Sequence, residues 1–517
     1  VINGDINDAS IRDPCANIAP MESFESEGFF WLPSAPDSRV IGRLVYNAAE
    51  GGTLTLFGSL SGQSVMFSNQ QPPSIMVHGV ASKEELTLLN CFSSGTQIEH
   101  PPGIMKETFH VGQVLTGAWF EDENDLVFDE FVVEFDQLSQ WVGRTGLKLE
   151  ADTRLPNDYS TLLRWRVTYD VLPDEEVQLP DGRELRLAFS WSINGDRVTS
   201  LALGQSTSLV LKYPECKPLE EVQTDLNGLQ DLITLAMDAP ALPNVVSLYR
   251  SDLTRELGSG RQVPVRIGYG NPNSAEHVRE KEPQGKHKVF FPFADLGGVE
   301  AIGRWIDVSR TYRPVLGALL TLRYSARLYQ ENRYLNVLNA AETFHRSKFP
   351  NAIEPPEVYK ARKRKLVALV KATVGRQVSA WLGDQLAYGN EPRLRRRLEE
   401  LASYAGAPFA ELVGDVSTWA EVATATRNRM THNEDGLTPV HEPGDIYMIA
   451  DSVYVLVMLC LLRECQVADQ PLSKLSEANR MHFLRSKLVG AIDRCGASFI
   501  RGWEKKRARR SASGTSD

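Results

Sequence analysis

Two hydrophobic rhythms divide this chain near its middle. Over roughly the first 215 residues, short runs alternate apolar and polar positions, and Gly, Pro, Asn and Asp separate them. Thr53–Phe57, Leu86–Leu89, Leu126–Phe128, Phe131–Phe135, Leu162–Tyr169 and Leu185–Trp191 are such runs. A period of two places alternate side chains on one face of a half-buried strand. Asp181-Gly182 and Asn194-Gly195 predict tight hairpins, because both residue pairs accept positive φ. Many short strands at this spacing predict an antiparallel sandwich or barrel. Gln137–Trp141 predicts a short helical turn inside it.

The second rhythm is helical. Leu219–Ala236 has apolar residues at 222, 226, 229, 232, 233 and 236, one face of a helix. Residues 241–295 are mixed, with strands predicted at Val245–Tyr249 and Val263–Tyr269 and a polar loop at Gly268–Lys288. From Leu296 onward helices dominate: Tyr312–Phe349 as two helices or a kinked one, Glu357–Ala387 as one long helix, then Glu391–Tyr404. Thr418-Trp-Ala-Glu421 has the spacing of a capping box and predicts a helix start near Trp419. Asn433–Gly436 predicts its stop, Asp445–Glu464 a buried helix, and Leu475–Arg501 a last helical region. The organisation expected is α+β: an antiparallel β-rich domain over 1–215, a connecting region over 216–295, a helical bundle over 296–502, and a disordered basic, Ser-rich tail over 503–517.

Charge sharpens that division. Residues 1–250 carry 36 acidic and 16 basic side chains, a balance of −20; the remainder carries 30 and 40, a balance of +10. The first half is therefore a poor partner for a phosphate backbone and the second a fair one. Six scattered cysteines form no C-x-x-C pair, so neither a zinc site nor a disulfide framework is indicated, and no metal or cofactor is expected. The longest strongly apolar run, Val453–Leu462, is too short for a bilayer, and no charged-then-apolar leader opens the sequence. A cytoplasmic protein with reduced thiols is the expectation. Walker, H-E-x-x-H and G-x-S-x-G motifs are missing from the sequence.

The candidate chemistry lies in Arg427-Asn428-Arg429-Met430-Thr431-His432, which reads R-N-x-x-x-H. Arginine offers phosphate a permanent charge and a planar fork of donors, and histidine moves a proton near neutral pH. Breaking a phosphodiester needs both. A loose R-x(4–6)-H match arises by chance about once in a chain this long, and the strict form in only a few per cent of such chains. On a regular helix, residues five apart diverge by about 140°. Arg427 and His432 can share one phosphate only if the helix frays at the Asn433–Gly436 stop so that His432 swings back, or if two copies face each other across a two-fold axis.

R-N-x-x-x-H followed by the helix Ile446–Glu464 resembles the HEPN superfamily of helical-bundle ribonucleases, and more closely the ApeA-type HEPN proteins of antiphage defence. The β-rich start is similar to their N-terminal domain at Gly28–Pro33, Gly42-Arg-Leu, Leu54–Gly58, Ile75–Gly79, Leu88–Cys91 and Phe128–Trp141. The resemblance implies a metal-independent endoribonuclease in which a ribose 2′-hydroxyl attacks the adjacent phosphorus and leaves a 2′,3′-cyclic phosphate. It gives His432 the role of general acid or base, Arg427 the scissile phosphate, and Asn428 the task of orienting the site. Glu342 is the polar residue expected from a second helix, on one face with His345. Arg362, Lys363, Arg364 and Lys365, with Arg395, Arg396 and Arg397, are the expected RNA contacts. The partners expected are RNA, a second copy of the chain in a homodimer or higher even oligomer, and a phage protein trigger on the N-terminal domain. Several HEPN enzymes cut transfer RNA, but no residue here selects it. A bundle that binds RNA or nucleotide without cutting it, or that only dimerises, stays open on sequence.

Overall fold

The computed structural model describes residues 23–513 apart from 61–73, 99–104, 154–161, 197, 257, 259, 280–284, 286–288, 326, 432–441 and 476–477. Two compact units divide the chain, Val1–Arg310 and Thr311–Asp517.

The first unit starts as a closed barrel. Strands β1 (Phe24–Trp31), β2 (Val40–Asn47), β3 (Gly51–Leu56), β4 (Ile75–Ala81), β5 (Glu84–Ile98) and β6 (Met105–Thr116) pair antiparallel in the ring β1–β2–β3–β6–β5–β4 and back to β1. The period of two is visible in β2, where Gly42, Leu44 and Tyr46 are buried and their neighbours are not. Phe30, Leu44, Leu54, Leu56, Val77, Leu88, Phe109 and Val111 fill the core. Closure also demands a residue without a side chain. A Cβ on Gly28 would sit 2.0 Å from the Val80 carbonyl oxygen on the neighbouring strand.

A second sheet grows from this barrel. β7 (Val127–Phe135) is followed by α1 (Leu138–Val142), β8 (Leu147–Thr153), β9 (Leu162–Tyr169), β10 (Glu175–Gln178), β11 (Glu184–Asn194) and β12 (Ala202–Pro218). Then come α2 (Leu219–Met237), β13 (Pro243–Tyr249), β14 (Thr254–Glu256), β15 (Gln262–Pro264), β16 (Ile267–Gly270), α3 (Phe293–Leu296) and α4 (Gly298–Thr311). The order β10–β11–β12–β7–β13–β16 ends on β6, whose Val114–Thr116 pairs with β16 while Glu107–Val111 pairs with β3. β8–β9 and β14–β15 are separate two-stranded ribbons.

Residues 216–295, expected to connect two domains, instead complete the first. β13 sits between β7 and β16, and α2 is buried along most of its length. Its Asp225 is fully buried, taking hydrogen bonds from the Tyr213 hydroxyl at 2.9 Å and from Arg310 Nε and Nη2, both at 2.8 Å. Those bonds tie α2, β12 and α4 together, so the unit ends after Arg310 rather than at 295. A lone carboxylate in an otherwise apolar face could not be buried without such partners.

The second unit is helical: α5 (Arg313–Tyr324), α6 (Gln330–Lys348), α7 (Pro356–Thr373), α8 (Arg376–Gln385), α9 (Leu394–Ala405), α10 (Ala407–Val413), α11 (Val416–Thr431), α12 (Pro443–Glu464), α13 (Asp469–Leu475) and α14 (Asn479–Ser513). The long helix expected over Glu357–Ala387 is two, because Gly375 takes a φ of +111° that ends α7. The tail expected to be disordered from 503 continues α14 to Ser513; residues 514–517 lie outside the described residues. α12 is long and apolar enough to cross a membrane, yet 16 of its 22 residues are buried, as in the central helix of a bundle.

Replacing Gly28 by Ala should cost about 1–3 kcal/mol through overpacking at the β1–β4 seam. Scanning calorimetry should show a lower midpoint; an unchanged one would mean the barrel is not closed there.

Candidate active site

Arg427 and Asn428 lie in the last turns of α11. The cap predicted at Thr418 is three residues too late. Asp415 accepts from the backbone N–H of Ser417 at 3.3 Å and of Thr418 at 3.1 Å, and from the Thr418 hydroxyl. Those bonds hold the Asp415 carboxyl below its usual range, and aspartate caps as well as threonine does. Trp419 is fully buried and donates its indole N–H to Ser452 of α12 at 2.9 Å. Tyr334 of α6 donates to the Ala423 carbonyl at 2.5 Å. These contacts fix the rotation of α11, leaving Arg427 half-exposed and Asn428 exposed. Arg427 Nη1 reaches Asn428 Oδ1 at 3.5 Å, a weak contact, and forms no ion pair among the described residues. The Thr431 hydroxyl donates to the Arg427 carbonyl at 3.1 Å, so the helix is regular to that point. His432, and the predicted stop at Asn433–Gly436, lie outside the described residues.

Glu342 does not join this site. It pairs with Arg346 on its own helix, Nη2 to Oε2 at 3.5 Å. Tyr334 is level with Ala423, while His345, near the other end of α6, meets Arg397 and Glu400 of α9; Ser417, at the start of α11, meets Arg395 of the same helix. α6 and α11 therefore run in opposite senses. Glu342, eight residues past Tyr334, is about 18 Å along the axis from Arg427, four residues past Ala423.

The expected RNA contacts also separate. Arg397 is buried and gives Nη1 to His345 Nδ1 at 2.9 Å, Nε to the Pro392 carbonyl at 2.9 Å and Nη2 to Asn351 at 2.5 Å. It is a structural arginine, because three partners inside the fold replace its hydration. Arg395 bridges Glu399, Glu421 and Ser417, and Arg396 pairs with Glu400 at 2.8 Å. Arg362 pairs with Glu354 at 2.5 Å. Lys363, Arg364 and Lys365 make no ion pair among the described residues, and Arg364 and Lys365 are exposed on α7. They are the part of that expectation still available to phosphate.

The sequence reading missed a second set of charges, on α12 and around it. Asp451 is buried and accepts from Arg480 Nη2 at 2.9 and 3.0 Å, with Arg323 Nη2 at 3.7 Å. Burial raises its carboxyl despite the nearby charges of Arg323 and Arg333. Arg323 lies over the Tyr454 ring at 4.3 Å and Arg333 over Tyr447 at 5.1 Å. Burial, with Arg323 nearby, lowers Arg333, and burial brings Arg480 down to about 10. Six residues earlier, Asp445 receives Arg494 Nε at 3.0 Å and Nη2 at 2.5 Å. Two aspartates in a helix that is otherwise almost entirely apolar were the available signal.

The model of the family described as ApeA N-terminal domain 1 matches residues 25–305, more than half the chain, and that of Apea-like HEPN matches 335–471. This chain belongs to the ApeA-type HEPN proteins. The first match coincides with the barrel, sheet and α2 to within a few residues of the unit boundary, and the second contains R-N-x-x-x-H. An ApeA-like HEPN domain marks a family of antiphage-defence nucleases. No curated protein and no solved structure matches the chain.

His345 in this ApeA-type bundle yields a pH prediction. Because Arg397 donates to Nδ1, the ring is neutral with its proton on Nε2, donated to Glu400 at 2.7 Å. Burial holds His345 below its usual range, against the pull of Glu400. A base depressed in the folded state stabilises fully above the unfolded pKa of about 6.5 and loses that contribution as pH falls below it. Urea unfolding from pH 8 to 5 should therefore show a fall that His345→Gln reduces; equal slopes in both proteins would refute the assignment.

Proposed function

We propose that this protein is a metal-independent endoribonuclease of antiphage defence, acting through Arg427 and His432 and leaving a 2′,3′-cyclic phosphate. The observation that carries the reading is Arg427: a half-exposed guanidinium with no ion pair among the described residues, beside exposed Asn428, on the helix that the Apea-like HEPN match contains. A guanidinium left to solvent at a helix end retains its fork for a phosphate. His432 follows it in sequence as the proton-transfer group, and Asn428 orients the arginine. Lys363, Arg364 and Lys365 supply backbone contacts to RNA, with transfer RNA as a substrate to test. A phage protein engages the first unit as trigger. Supporting that role, Phe29, Ile41 and Phe57 are exposed side by side across β1, β2 and the end of β3, an apolar row that needs a cover.

His432→Ala should lose about two to four decades of cleavage rate, the share of general acid–base catalysis. Arg427→Lys should fail comparably, because a point charge cannot replace a bidentate fork. The wild type should leave cyclic phosphate ends on RNA in excess EDTA. Full cleavage by either purified variant, or rescue by magnesium after loss in EDTA, would overturn the mechanism; an intact defence phenotype with His432→Ala would point to a bundle that only binds or dimerises.

The divergence of Arg427 and His432 on a regular helix supports a symmetric dimer with facing motifs. Mixing Arg427→Ala with His432→Ala subunits should restore part of the activity that neither has alone. A fully active monomer, seen by sedimentation at assay concentration, would exclude sharing between chains.

A further inference from the structure

The first unit holds a polar cleft that the nuclease reading does not use. It lies between the barrel strand β2, the sheet strands β7, β13 and β16, and one face of α2. Its free volume is about 70 Å³; a water needs about 10–15 Å³ on the same measure, so there is room for on the order of five waters, the scale of one heterocyclic ring. Leu226, Val246 and Phe135 make apolar walls.

The polar lining is unusual in kind. Gln223, Asn227 and Gln230 stand at i, i+4 and i+7 on α2, an amide stripe on a helix whose other faces are largely buried and apolar. Gln223 donates to the Tyr269 hydroxyl. Gln230 is only 7% exposed and Tyr46 only 2%, and both line the cleft. Neither the Gln230 amide nor the Tyr46 hydroxyl forms a hydrogen bond among the described residues. Their polar atoms open onto the cleft, so they meet water there and stay available to a ligand that bears both donors and acceptors.

Charge narrows the ligand. Arg279 is committed to Asp136 at 2.7 Å, Glu276 at 2.6 Å and Asn244 at 2.5 Å. Two carboxylates face one guanidinium, so the local field opposes a phosphate. A peptide adding as a strand is also disfavoured, because β13 is already paired on both sides. We propose that this cleft binds an uncharged heterocycle, a free nucleobase or a nucleoside, with its donor–acceptor edge on Gln230 and Tyr46. Side-chain amides read such edges by paired hydrogen bonds. The sugar of a nucleoside points to the mouth, where Asn227 and Asn271 are exposed.

Calorimetric titration of the full chain with the common nucleobases and ribonucleosides, their 5′-monophosphates and a blocked dipeptide tests this. At least one base or nucleoside should bind at roughly millimolar affinity or better, and its 5′-monophosphate about tenfold more weakly. Gln230→Leu and Tyr46→Phe should each weaken binding about tenfold, since each removes a buried partner. Asn227→Ala, at an exposed position that does not disturb the core, should weaken the nucleoside more than the bare base. The proposal is overturned if no base or nucleoside binds the folded chain. It is equally overturned if binding ignores all three substitutions, if the monophosphate binds as tightly, or if only the dipeptide binds. None of these readouts involves RNA cleavage, so the outcome is independent of the nuclease assignment.

Discussion

The second unit depends on the burial of one helix. α12 is covered on all sides, and almost every side chain it presents is apolar. Its acidic groups are therefore expensive, since each ion taken from water costs several kcal/mol unless met by a partner. They occur at three levels, met from α14 alone, from α14 and α5, and from α6 with two tyrosines. Asp445 takes Arg494 of α14; Asp451 takes Arg480 of α14 and Arg323 of α5; Glu464 takes Lys348 of α6 and the hydroxyls of Tyr312 and Tyr404. Hydrophobic burial alone would tolerate a slip of one helix along another. A carboxylate that must find its guanidinium does not, so these pairs set the register of the bundle.

The candidate site inherits that register. α11 is held against α12 by Trp419 and Ser452, and against α6 by Tyr334. With rotation and height fixed, Arg427 emerges at the end of a rigid helix rather than on a loop. Rigid support matters for a group that must meet charge developing on a phosphate, because a preorganised donor spends nothing on reorientation. The same logic explains why so many arginines of this unit are not available to RNA. Arg397 and Arg395 hold α9 to α6 and α11, Arg396 is paired within α9 and Arg362 with Glu354, while Lys363, Arg364 and Lys365 of α7 make no ion pair among the described residues.

The first unit solves a different problem. A sheet has edges, and a barrel removes them. β6 serves as the shared strand, completing the barrel along one stretch and starting the second sheet along the next. At the junction a cleft opens between β2, β13 and α2. The cleft carries a stripe of amides between apolar walls.

Local sequence signals carried far. The period of two in Thr53–Phe57, the helical face of Leu219–Ala236 and the apolar length of α12 follow from side-chain periodicity, which is a property of neighbours in the chain. The R-N-x-x-x-H spacing is likewise local and pointed to the family. Long-range partners were not legible. Nothing near Asp225 names Arg310, nothing near Asp451 names Arg480, and Glu342 looked as suitable as any polar residue until α6 and α11 proved to run in opposite senses. Gly375 divided a helix because its φ is positive, which composition alone does not reveal. By itself, then, the sequence determined the order of a β-rich part followed by a helical part, which faces are apolar and which residues could do phosphate chemistry. Tertiary structure alone decided which charges are spent inside the fold and which face solvent, because burial and pairing depend on residues brought together from distant parts of the chain.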